Sequence, residues 1–170
     1  YRLLKPGMAV VDLGAAPGGW SQIAARRVGS SAGKGKVVAI DLLSIDEIAG
    51  VQFAQMDFLE DDAPERLRTM IGGGADVVMS DMAPNTTGHR KTDQLRIVGL
   101  VETAAAFACE VLNPGGAFLA KVFQSGADAD LLAQLKRDFA SVKHVKPAAS
   151  RADSSERYVM ATGFRGSPKA

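Results

Sequence analysis

Apolar positions along this chain follow two alternating patterns. Short, mostly apolar runs, the mark of strands buried on both faces, alternate with stretches where apolar residues recur at helical spacing. The runs are Val10–Leu13, Val37–Asp41, a weaker Val51–Gln55, Ala75–Asp81 and Ala117–Phe123. Helical spacing is found from about Trp20 through Arg27 and over Pro64–Ile71, Gln94–Leu112 and Asp128–Phe139. Pro64 suits a first helical turn, Gly72-Gly73-Gly74 stops that helix, and Asn113-Pro114-Gly115-Gly116 stops the next. Two last runs, Val142–Val145 and Arg157–Gly163, are joined by a short polar link and predict an antiparallel hairpin at the sheet edge. The pattern predicts an α/β fold: a seven-stranded, mostly parallel sheet with helices on both faces and that hairpin at its end.

The chemistry gathers where strands end. The first strand stops at Asp12-Leu13 and breaks into Gly14-Ala15-Ala16-Pro17-Gly18-Gly19 before a helix that starts near Trp20. Glycines there allow backbone turns and close ligand approach, and a strand, loop and helix N-terminus form the nucleotide corner of open α/β sheets. The loop is not G-x-G-x-x-G, and Pro17 removes an amide hydrogen that a pyrophosphate would use. A carboxylate at Asp12 suits a ligand with positive charge, and S-adenosylmethionine carries an ammonium and a sulfonium. NAD binding and a purely structural glycine turn are the competing readings of the loop.

Asp41, at the end of the second strand, is placed to accept from ribose hydroxyls. Asp57 follows the third strand, where it either accepts from an adenine amine or simply begins the solvated acidic run Glu60-Asp61-Asp62. Asp81 ends the fourth strand, and at the topological switch it should face the glycine corner. Thr86–Asp93 reads as a polar loop whose His89, Arg90 and Lys91 either reach a phosphate backbone or are merely solvated. Lys121 interrupts an otherwise apolar strand; a buried ammonium is costly unless paired, so it calls for a carboxylate partner or a task.

Composition narrows the classes without choosing among them. With 170 residues, 46% hydrophobic and 23% charged, the chain is expected to be one domain over residues 1–170 and an ordinary globular protein. Its lone cysteine points to a reducing, cytoplasmic compartment, and a monomer is expected without a sequence feature that decides it. The net charge of +1 neither demands nor excludes nucleic acid, no apolar run has membrane-spanning length, and no signal peptide is visible. Because the chain begins at Tyr1, an N-terminal segment is expected to be missing. The single cysteine, Cys109, cannot form an internal disulfide and is expected to be a packed core thiol. With His89 and His144 far apart in sequence, no metal site is expected.

Taken together, Asp12 through Gln22, Asp41-Leu42-Leu43, Asp57-Phe58, Ser80 through Asn85, Lys121-Val122-Phe123-Gln124, and Ser150-Arg151 through Ser154, Glu156 and Tyr158 resemble one family. This is the FtsJ/RrmJ-type ribosomal RNA ribose 2′-O-methyltransferases, and the ordered set spans nearly the whole chain. The resemblance implies a Rossmann-like methyltransferase fold, S-adenosylmethionine as donor, and a uridine in the A-loop of 23S RNA in the large (50S) subunit as target. It implies a Lys-Asp-Lys-Glu tetrad, of which Asp81, Lys121 and Glu156 carry over; the first lysine would lie upstream of Tyr1. It also implies Gly18, Trp20, Asp41, Asp57 and Asp81 as donor contacts, to which the reading of the loop adds Asp12 and Gly14. Ser125 departs from the family's usual glycine.

A weak ribose hydroxyl must be aligned with the methyl and sulfur and must lose its proton. Lys121 fits either as base or as a group that steers the hydroxyl. Two alternatives remain: a nucleotide-dependent oxidoreductase, and a noncatalytic RNA-binding module that kept the fold.

Overall fold

A computed structural model describes residues 2–122, 129–146 and 157–167. Its elements in chain order are β1 (Ala9–Leu13), α1 (Gly19–Val28), β2 (Lys36–Asp41), β3 (Val51–Gln55), α2 (Ala63–Ile71) and β4 (Ala75–Ser80). These are followed by α3 (Arg90–Val111), β5 (Leu112–Val122), α4 (Ala129–Asp138), β6 (Phe139–Val145) and β7 (Arg157–Phe164). The strands form one sheet in the order β3-β2-β1-β4-β5-β7-β6. β1 to β5 pair in parallel, whereas β7 lies antiparallel between β5 and the edge strand β6.

The apolar runs produce this sheet because both of its faces are covered. Val11, Leu13, Val38, Ile40, Val78 and Phe118 face α2, α3 and α4 in the larger core, and Val10, Val37, Val77, Met79 and Ala117 face α1 in the smaller one. The order reverses between β1 and β4, so the loops after these strands diverge from one crevice. At the opposite end Asp76 locks the three central strands together. Its carboxylate accepts from Ala9 N at 2.9 Å and from Asn113 Nδ2 at 3.2 Å.

Three element starts differ from the sequence reading by three residues or more. α3 starts at Arg90, so Arg90 and Lys91 belong to its first turn; the His89 imidazole caps it by accepting from Thr92 N. β5 starts at Leu112, which already pairs with Ala75, and residues 113–116 form an irregularity before Ala117 pairs with Val77. β6 begins at Phe139, whose ring packs on Phe164 at 5.3 Å. Cys109 is partly buried, with its Sγ 3.8 Å from Asp138 Oδ2, and burial pushes its thiol up to about 11. No helix among the described residues is long and apolar enough to cross a membrane.

Candidate active site

The carboxyl ends of the strands are bound to one another by backbone amides. Gly14 N and Ala15 N both donate to Ile40 O at 3.0 Å, and Asp81 N donates to Leu13 O at 3.0 Å. Gly14 has φ +77°, and a Cβ there would lie 2.8–3.0 Å from Met82 Cγ, N and Cα. Only glycine lets the loop after β1 pass so close to the loop after β4. Gly14→Ala is therefore expected to cost about 2 kcal/mol or more from the left-handed backbone and the contact combined, read as a lowered denaturation midpoint.

Between these loops and α3 lies a cavity of about 700 Å³. Gly14 and Ala16 line one side, Ile40 to Leu43 and Met56 to Leu59 a second, Asp81 to Asn85 a third, and Arg96, Gly99, Leu100 and Thr103 of α3 a fourth. Asp41 is fixed in it by two backbone donors, Ala16 N to Oδ2 at 2.9 Å and Leu43 N to Oδ1 at 2.8 Å. Each oxygen keeps a second lone pair for a ligand hydroxyl. Asp57 accepts from Leu59 N at 2.9 Å through Oδ1, an Asx turn that sets its carboxyl at the cavity wall.

Asp81 reaches beyond the cavity. Lys121 Nζ lies 3.2 Å from its Oδ1, and the two side chains are 22% and 30% exposed, so the pair is reachable from solvent. A carboxylate partner for the strand's lysine, expected on grounds of burial cost, is thus in place. Glu156 lies outside the described residues.

Asp12 sits beneath the glycine loop and is fully buried. Ser21 Oγ donates to its Oδ2 at 2.6 Å, and its Oδ1 has no hydrogen-bond partner among the described residues. Burial pushes its carboxyl up to about 6; the Ser21 hydrogen bond opposes that shift, while the charges of Asp81 and Asp41 add to it. α1 begins just after Gly18, which has φ 111° and no side chain to cap the helix. The first amides of α1, at Gly19 and Trp20, therefore point out of the helix end with no side-chain acceptor among the described residues.

Of the residues singled out from sequence, Gly14, Asp41, Asp57 and Asp81 surround the cavity, whereas Asp12, Gly18 and Trp20 are not in its lining. Sequence reasoning missed Ser21 and Arg96. Ser21 falls on the α1 face that covers β1, a signal present in the helix periodicity, but nothing local marks Arg96 among the other charges of α3. No group of His, Cys, Asp and Glu among the described residues could hold a metal ion.

A family model described as FtsJ-like methyltransferase matches residues 1–164. The chain belongs to the FtsJ-like methyltransferase family. The Bradyrhizobium diazoefficiens protein named ribosomal RNA large subunit methyltransferase E is 82% identical over 170 residues, which cover 100% of this chain and 75% of that protein. The protein of the same name from Afipia carboxidovorans is 80% identical over 166 residues, covering 98% of this chain and 74% of its own. Among solved structures, a Plasmodium falciparum protein assigned as a ribosomal RNA methyltransferase superposes with a TM-score of 0.80 at 26% identity, over 96% of this chain and 90% of that one. As a member of the FtsJ-like family the protein is a methyltransferase that uses S-adenosylmethionine, and the expected Rossmann-like sheet is the one observed.

Proposed function

We propose that this protein transfers the S-adenosylmethionine methyl group to a ribose 2′-oxygen of large-subunit ribosomal RNA, with a uridine of the A-loop as its target. The observation that carries the reading is the Lys121–Asp81 pair, which stands at the edge of a cavity whose other carboxylates suit a nucleoside. Relatives about four-fifths identical that are named for large-subunit ribosomal RNA support the substrate class. The site of action follows that substrate: the cytoplasm, on a ribosomal subunit, with one copy of the chain.

The cavity's chemistry fits the donor. Asp41 accepts from the ribose hydroxyls, Asp57 from the adenine amine, and the uncapped α1 amides at Gly19 and Trp20, beside Gly18, take the carboxylate. Asp12, buried just behind, and Asp81 supply negative charge toward the cationic end. When bound, S-adenosylmethionine supplies a methyl group on a sulfonium, a leaving group that departs as a neutral thioether. Lys121, in its neutral amine form, holds the acceptor hydroxyl in line and receives its proton, becoming an ammonium, as the new carbon–oxygen bond forms, while Asp81 fixes the lysine nitrogen. Glu156 is proposed as the third member of this group, on the family resemblance alone.

The test is methyl transfer from labelled S-adenosylmethionine to naked ribosomal RNA and to large subunits lacking the modification, followed by mapping of the product. Label on a ribose 2′-oxygen is expected. Label on a base, or binding of NAD in place of S-adenosylhomocysteine, would overturn the proposal.

A further inference from the structure

We propose that the Trp20 indole, seated on Tyr158, is the platform on which the acceptor nucleobase stacks. This rests on the reading above that the acceptor is RNA. The argument begins with strand alternation. Val10, Val37, Val77, Met79 and Ala117 face α1, so Asp12 on β1 and Lys121 on β5, an even number of residues further on, face the same way. Tyr158 is the residue directly opposite Lys121 in the antiparallel β5–β7 pair, which puts it beside the lysine on that face. The Trp20 ring, reaching down from the first turn of α1, meets the Tyr158 ring with centroids 5.4 Å apart at 43°. Tyr158 is buried and Trp20 only partly so, hence the indole is the accessible member of the pair.

The donor cavity is walled by α3 and the loops after β1 to β4, with Asp81 in its wall and neither Trp20 nor Tyr158 in its lining. An in-line displacement requires the acceptor oxygen opposite the departing sulfur, so the ribose must approach Lys121 from the side away from that cavity. Its base then arrives next to Trp20. The other ring pairs among the described residues, Phe58 with Phe107 and Phe139 with Phe164, are buried in the core and offer no surface to a base. Single-stranded RNA is commonly bound by stacking splayed bases on aromatic side chains, and such stacking tolerates any base. The α1 amide of Trp20 serves the donor while its side chain serves the acceptor, so the two functions are separable by substitution.

Trp20 is the sole tryptophan of the chain, which makes indole emission a direct reporter. With saturating S-adenosylhomocysteine, titrating the wild-type protein with a single-stranded oligouridylate is expected to quench emission saturably. The same ribose-phosphate oligomer without bases should not quench it. Trp20→Ala is expected to raise the KM for large-subunit ribosomal RNA about tenfold or more, with S-adenosylhomocysteine Kd within about twofold, and Trp20→Phe to recover most of the loss. Three results would each overturn the proposal: no quench, an equal quench by the abasic oligomer, or donor affinity falling in step with the RNA KM. Should Trp20→Ala fail to fold, the wild-type titration decides alone. Because that titration needs no turnover, failure of ribose methylation itself would count against the proposed function and be distinguishable from failure of stacking.

Discussion

Lys121→Ala is expected to lower kcat for methyl transfer by at least about a hundredfold, the lower end of what a positioned proton acceptor contributes. S-adenosylhomocysteine and RNA affinities should change only a few-fold, because the Asp41 and Asp57 contacts are untouched and Asp81, 30% exposed, gains water in place of the ammonium. Lys121→Arg separates the two possible roles. A guanidinium keeps a positive charge beside Asp81 but does not take a proton in this pH range. Proton removal by Lys121 predicts that the arginine variant is nearly as slow as the alanine one; substantial recovery would assign Lys121 to steering. Full activity in the alanine variant would remove it from the reaction altogether. Single-turnover rates measured with saturating donor and RNA decide the matter.

Asp12→Asn is expected to stabilise the protein more and more, relative to wild type, as pH rises from about 4 to above 6. The Asp12 carboxyl has a folded-state value of about 6 against an ordinary 3.8. Below 3.8 both folded and unfolded chains hold the proton and the residue is neutral in stability terms. Between the two values only the unfolded chain ionises, so wild-type stability falls; above 6 the full cost of the buried carboxylate is in place. A displacement of that size corresponds to about 3 kcal/mol. The variant has no such titration, so urea-denaturation midpoints across this range should diverge by that order, whatever fixed cost the amide brings. A constant difference between the two proteins would show that Asp12 does not titrate in this window. The same substitution should weaken binding of the cationic donor more than of the neutral S-adenosylhomocysteine, since the charge removed lies beneath the glycine loop.

Much of the site was legible because a parallel sheet writes its strands as mostly apolar runs and puts its chemistry where they stop. Asp41, Asp57 and Asp81 were placed by that rule, and the structure sets all three around one cavity. The lysine on β5 stood out by its cost alone, and its proximity to Asp81 followed from strand order. What escaped was non-local. A histidine is an unusual helix cap, so the early start of α3 at Arg90 left no familiar signal before it. Asn113-Pro114-Gly115-Gly116 does end a helix, but Leu112 already belongs to the next strand because Ala75, far away in sequence, is there to pair with it. The burial of Asp12 and its bond to Ser21 depend on how α1 settles on the sheet, which no local pattern encodes.

The Asp76 clasp has an evolutionary corollary. By joining Ala9 and Asn113 to β4, it fixes the alignment of the three central strands from the end remote from the chemistry. Changes in the loops after β1 and β4 therefore act on strands that remain anchored from the far end. One scaffold of this kind can be refitted for new acceptors by changing only its upper rim.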